Sequence, residues 1–79
     1  MKIYNFNGKK NICGQNVKEA RKVPGIFQEM LAARLQTEGV NIERDSVSKI
    51  EIGTRFVSDY ELVALCKILG VTPEVLLGL

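Results

Sequence analysis

A chain of 79 residues, 46% hydrophobic and 25% charged, is the size of one domain and too small to enclose a large substrate cavity. Two prolines, no histidine and two cysteines speak against disordered, zinc-bound and disulfide-stapled classes. The net charge of +2 hides an asymmetry: residues 1–22 carry six Lys/Arg against one Glu, and residues 23–79 carry five against eight acidic groups.

That basic end suits either a polyanionic partner or plain solubility. No window approaches the roughly 18 apolar residues that span a bilayer, and MKIYNFNGKKN lacks an apolar run before a cleavage site. The expectation is a cytoplasmic protein with no membrane partner, its Cys13 and Cys66 reduced and Cys66 in a core.

Residues 1–10 alternate Ile3, Asn5 and Asn7 with Lys2, Tyr4 and Phe6, which fits an N-terminal arm or a short strand. A single strand has nothing to pair with, so a flexible lead is favoured over a contact to a second copy. Residues 11–79 then form the domain. Ile12, Val17, Ala20 and Arg21 share a side of a first helix over about 12–22, stopped by Pro24–Gly25. Met30, Leu31, Arg34 and Leu35 stripe a second, which ends at Gly39.

Val47 and Ile50 anchor a third helix from about Glu43 to Ile52, stopped by Gly53. Ser58 stands three residues before Glu61 as a capping box, opening a fourth helix with Leu62, Leu65, Cys66 and Leu69 inward, up to Gly70. Thr72 as N-cap and Pro73 at the first helical position start a short fifth. Five short helices with tight connections imply a compact all-α domain. The second and third fit a pair in which an apolar underside holds the later helix and leaves its polar top free.

At this point the residues match a known pattern. GQNVKEARKVPGIFQEMLAARL, RDSVSKIEIGTR and SDYELVALCKILGVTPEVLLG together resemble the phage-repressor and Cro-type, lambda-repressor-like helix-turn-helix family, over about residues 12–78. The family's R-x-x-x-G-L-T-Q-E-x-L-A corresponds to Arg21, Gly25, Ile26, Phe27, Gln28, Glu29, Leu31 and Ala32. Its S-x-I-x-x-G-x-R corresponds to Ser48, Ile50, Gly53 and Arg55, and its L-G-V-x-x-x-x-L-L to Leu69, Gly70, Val71, Leu76 and Leu77. Two departures stand out. Phe27 occupies the N-cap of the second helix, where it cannot accept an orphan backbone N–H. The segment QTEGVNIE is also longer than the usual turn, so a longer second helix is expected.

The resemblance implies a sequence-specific DNA-binding transcriptional regulator, a repressor on a palindromic operator, that inserts its third helix into the major groove of double-stranded DNA as a homodimer. With Val47 and Ile50 inward, helical geometry turns Asp45, Ser48 and Lys49 outward and leaves Arg44 and Ser46 on the flanks. Arg44 or Lys49 could donate to guanine O6 and N7, Asp45 could accept from cytosine N4, and Ser46 or Ser48 could bond base or phosphate. As a first-turn carboxylate, Asp45 also suits the helix dipole alone. By the resemblance Gln28, Thr54 and Arg55 hold phosphates.

Glu51 lies about 40° around the helix from Val47 and leans toward the core, and by the resemblance it pairs with Arg21. The apolar end VLLGL is the expected self-association surface, although Leu76 and Leu77 suit a core equally. Without histidine, paired carboxylates or a phosphate loop, no catalytic residue, metal, cofactor or small-molecule ligand is expected. The alternative is a protein-interaction module on the same fold with weak or no DNA binding, which the weak net charge and Glu38, Glu43 and Asp45 favour.

Overall fold

The computed structural model describes residues 5–79 and is built from five helices. These are α1 (Gly14–Lys22), α2 (Gln28–Thr37), α3 (Arg44–Ile52), α4 (Asp59–Leu69) and α5 (Pro73–Leu77). Val17, Leu31, Leu35, Val47, Ile50, Leu65 and Leu76 are each less than 2% exposed and form one core. Each such side chain contributes about 1.5–3 kcal/mol by leaving water. α3 packs on α1 and α2, α4 packs on α2, and α5 closes the bundle against α1 and α4.

The helix ends follow local chemistry. α1 starts two residues later than expected, because the Asn11 Oδ1 accepts from the Gly14 N–H at 2.8 Å and Ile12 stays outside, 53% exposed. α2 starts from Phe27 in extended backbone with no side-chain cap, and the ring is 73% exposed. Its inward face is Leu31, Ala32 and Leu35; Met30 and Arg34, expected on that stripe, face outward. α4 buries Ala64, Leu65 and Cys66 with Glu61, while Leu62 and Leu69 are half-buried. In α5 the Thr72 hydroxyl accepts from Val75 N–H at 3.3 Å, and Leu76 belongs wholly to the core.

The extra length between α2 and α3 sits in the connection and not in a longer helix. α2 ends at Thr37, and Val40 N–H donates back to Leu35 O at 2.9 Å. Val40 and Ile42 then turn inward two residues apart, and the Gln36 amide donates to Ile42 O at 2.8 Å. The segment is long but pinned at both ends.

Residues 5–10, expected as a flexible lead or a short strand, form a docked turn. Asn7 (φ 52°) and Gly8 (φ 79°) occupy the left-handed region, the backbone of a two-residue hairpin turn that Asn-Gly favours. Phe6 N–H donates to Lys9 O at 2.6 Å, Lys9 N–H returns to Phe6 O at 3.0 Å, and Lys10 N–H donates to Gly53 O at 2.8 Å. The expected alternation through Lys2, Ile3 and Tyr4 lies outside the described residues. No helix among the described residues is long and apolar enough to cross a membrane.

Candidate nucleic-acid interface

The outer face of α3 is exposed because its inner face is fixed from three directions. Val47 and Ile50 are 1% exposed against the core. Gly14 brings the start of α1 so close that a Cβ there would lie 2.1 Å from Ile50 O. The end of the helix is covered by the N-terminal segment: Asn11 Nδ2 donates to Ile50 O at 3.0 Å and to Arg55 O at 2.8 Å, and Lys9 Nζ donates to Ile52 O at 3.3 Å. The bonds to Ile50 O and Ile52 O fall on last-turn carbonyls, which a helix leaves without an intrahelical partner.

A polar chain runs from the core to the surface of α3. Arg21 Nε donates to Glu51 Oε2 at 2.7 Å and its Nη2 to Oε1 at 3.0 Å, while Nη1 donates to Ile26 O at 2.8 Å. Side-chain exposures of 11% and 2% make this a buried, two-pronged pair. Gln28 Nε2 then donates to Glu51 Oε1 at 3.0 Å, and Arg44 Nη1 reaches Gln28 Oε1 at 3.5 Å. Arg44 Nη2 donates to Asp45 Oδ1 at 3.0 Å, with side chains 57% and 77% exposed. An exposed pair of this kind is worth about 0–1 kcal/mol, so it yields readily to a stronger partner.

Of the other outward residues, Lys49 is exposed and Ser46 and Ser48 are half-buried. Gln28, expected on phosphate, is half-buried, with one amide N–H committed to Glu51. Thr54 is exposed, its hydroxyl donating to Lys49 O at 3.4 Å.

Arg55, expected on phosphate, is engaged within the chain. Its Nη1 and Nη2 donate to the two carboxylate oxygens of Glu61 at 2.9 and 3.0 Å, and Nη1 also donates to Phe56 O at 2.9 Å. Glu61 is only 6% exposed and accepts from the Ser58 N–H at 3.0 Å, so one carboxylate closes the α4 capping box and holds Arg55.

Burial pushes the Glu61 carboxyl up, but Arg55 and the Ser58 N–H outweigh it and leave it below the ordinary carboxylate range. A carboxyl lowered by folding stabilises the fold above its unfolded value and loses that contribution as pH falls through its folded one. Glu61→Gln should therefore lower the urea midpoint at neutral pH, and the gap from wild type should shrink in strong acid. Urea titrations at the two pH values check this, and an unchanged gap would contradict it.

Sequence reading alone did not find Lys9, Asn11 and Gly14 as supports of α3. Asn7-Gly8 was the available signal, because that pair marks a tight reversal that returns the chain on itself. Cys13 and Cys66 are both buried free thiols, and burial pushes each above the usual thiol range. No group of three or more potential metal ligands occurs among the described residues.

Five helices, with α2 and α3 paired so that α3 presents its polar face, define a helix-turn-helix protein. No family model and no curated protein matches the chain. Among solved structures it is similar to the restriction-modification controller protein C.AhdI from Aeromonas hydrophila, with 31% identity and a TM-score of 0.70 over 81% of this chain and 89% of that one. The chain belongs to the same family as that controller protein.

Proposed function

We propose that this chain is a sequence-specific DNA-binding transcriptional regulator of the Cro and lambda-repressor type, a repressor that occupies a palindromic operator as a homodimer. The observation that supports it most is the exposed Arg44–Asp45 pair in the first turn of α3, held from beneath by a continuous polar chain to a buried ion pair. First-turn residues of a recognition helix are those that reach base edges. Arg44 and Lys49 donate to guanine, Asp45 accepts from cytosine, and Ser46 and Ser48 bond base or phosphate. Gln28, Thr54 and Arg55 take the flanking phosphates, Arg55 through the N–H groups that Glu61 leaves free. The relative is a controller of restriction-modification, a role that suits a regulator.

Self-association falls to exposed apolar side chains near the C-terminal end. Leu76 is in the core, which leaves Val75 and Leu79, with Tyr60 and Val63 one turn apart on α4. Two copies would place their α3 helices about 34–36 Å apart, one turn of duplex.

Acidic residues near α3 favoured the interaction-module reading, but two of them are neutralised locally. Glu38 accepts from Lys67 at 3.0 Å, and Asp45 from Arg44. Selection of duplexes from a random pool, beside Arg44→Ala, tests the proposal. The variant should lose preference at one base position per half-site, at a cost of about 1–3 kcal/mol. An unchanged motif would sink the reading head, and binding indifferent to salt would favour the interaction module.

A further inference from the structure

Beside the outer face of α3 lies an open polar groove of about 450 Å³, walled by Lys9, Gln15, Lys18, Gln28, Ser48, Glu51 and Ile52. We propose that this groove is an additional site for a DNA backbone phosphate, with Lys9 and Lys18 as its cationic partners; the proposal rests on the DNA-binding reading above.

Three features point to a phosphate. The groove shares Gln28 and Ser48 with the face that meets DNA, so a backbone lying along α3 passes over its mouth. Its charge is also uncompensated: neither Lys9 nor Lys18 has a carboxylate partner among the described residues. The carboxylate in its wall, Glu51, is already engaged by Arg21 and Gln28, and Gln15 donates to Glu19 outside it at 2.9 Å. Lys9 and Lys18 therefore line a space whose one acidic wall residue is already engaged.

The third feature is preorganisation. The C-terminal carbonyls of a helix carry partial negative charge and repel an anion. Here that end of α3 is covered, with Lys9 on Ile52 O, the Lys10 N–H on Gly53 O and Asn11 on Ile50 O. The stem of Lys9 lies flat on Gly53, where a Cβ would meet its Cδ at 2.9 Å. The hairpin turn thus turns an end of the recognition helix that would repel phosphate into one that accepts it.

The test is the affinity of the purified chain for its selected duplex and for a random duplex across a salt series, comparing wild type, Lys18→Gln, Lys9→Gln/Lys18→Gln and Arg44→Ala. Each phosphate that a variant no longer neutralises should flatten the log-log salt slope by about 0.9, so a fourfold rise in salt weakens a variant short of one such phosphate about 3.5-fold less than wild type. The preferred base sequence should not change. Lys18 forms no hydrogen bond or ion pair among the described residues, so Lys18→Gln tests the site even if Lys9→Gln loosens the cap of α3. A wild-type slope in Lys18→Gln and in a folded double variant overturns the phosphate site and leaves the DNA-binding reading intact. A wild-type chain that binds neither duplex removes that reading and the site with it.

Discussion

Gly14→Ala should lower the melting temperature by about 12 °C or more, a large loss for the addition of one methyl group. Helix propensity alone argues the other way, since alanine within a helix is favoured over glycine by about 1 kcal/mol. Packing decides the sign. The new Cβ would sit 2.1 Å from Ile50 O and 2.9 Å from Glu51 O, both backbone atoms of α3 that no rotamer change can move. Relief requires α1 to back away from α3, loosening the core that Val17 and Ile50 share and pulling Asn11 from two carbonyls. Overpacking costs about 1–3 kcal/mol, occasionally more, and a clash with immovable backbone lies at the upper end; a domain this size shifts by about 4–8 °C per kcal/mol. Thermal melts by circular dichroism read the result, and a variant that melts at or above wild type would refute the close approach of the two helices.

Arg21→Met should destabilise by a similar amount for an electrostatic reason. It leaves the Glu51 carboxylate, 2% exposed, with only the Gln28 amide as partner, and an uncompensated buried charge costs about 3–5 kcal/mol. The double variant Arg21→Met/Glu51→Leu should recover most of that loss, because two apolar side chains need no charge partner. Urea unfolding of both variants distinguishes a charge effect from lost volume. If Arg21→Met stayed as stable as wild type but no longer bound DNA, the arginine would belong to the interface and not to the fold. The double variant also removes the acceptor that orients Gln28, and through it Arg44, so on the proposed function stability should recover before DNA affinity does.

The helices were legible because their signals are local. Gly39, Gly53 and Gly70 stop their helices, Pro73 starts one, and Val47 with Ile50 fixes which side of α3 faces in. The Arg21–Glu51 pair was reached only through the family pattern, since nothing nearby in sequence joins two residues 30 positions apart. The Arg55–Glu61 pair was missed for the opposite reason. Glu61, read as a cap alone, has two oxygens and serves the cap and the arginine together. Gly14 could not be read at all, because its role is a missing Cβ opposite another helix, and that depends on how α1 and α3 meet.

The hairpin at the amino end has a consequence for how the chain folds. Its bonds to the far end of α3 span 39 to 44 positions, whereas a helix forms its own bonds within a single turn. Closing so long a loop costs entropy before the interactions it allows repay it. The outer face of α3 therefore cannot be lifted out as a short peptide with its shape intact. Its rigidity belongs to a closed circuit of chain that starts before the first helix and is sealed when residues 9–11 meet residues 50–55.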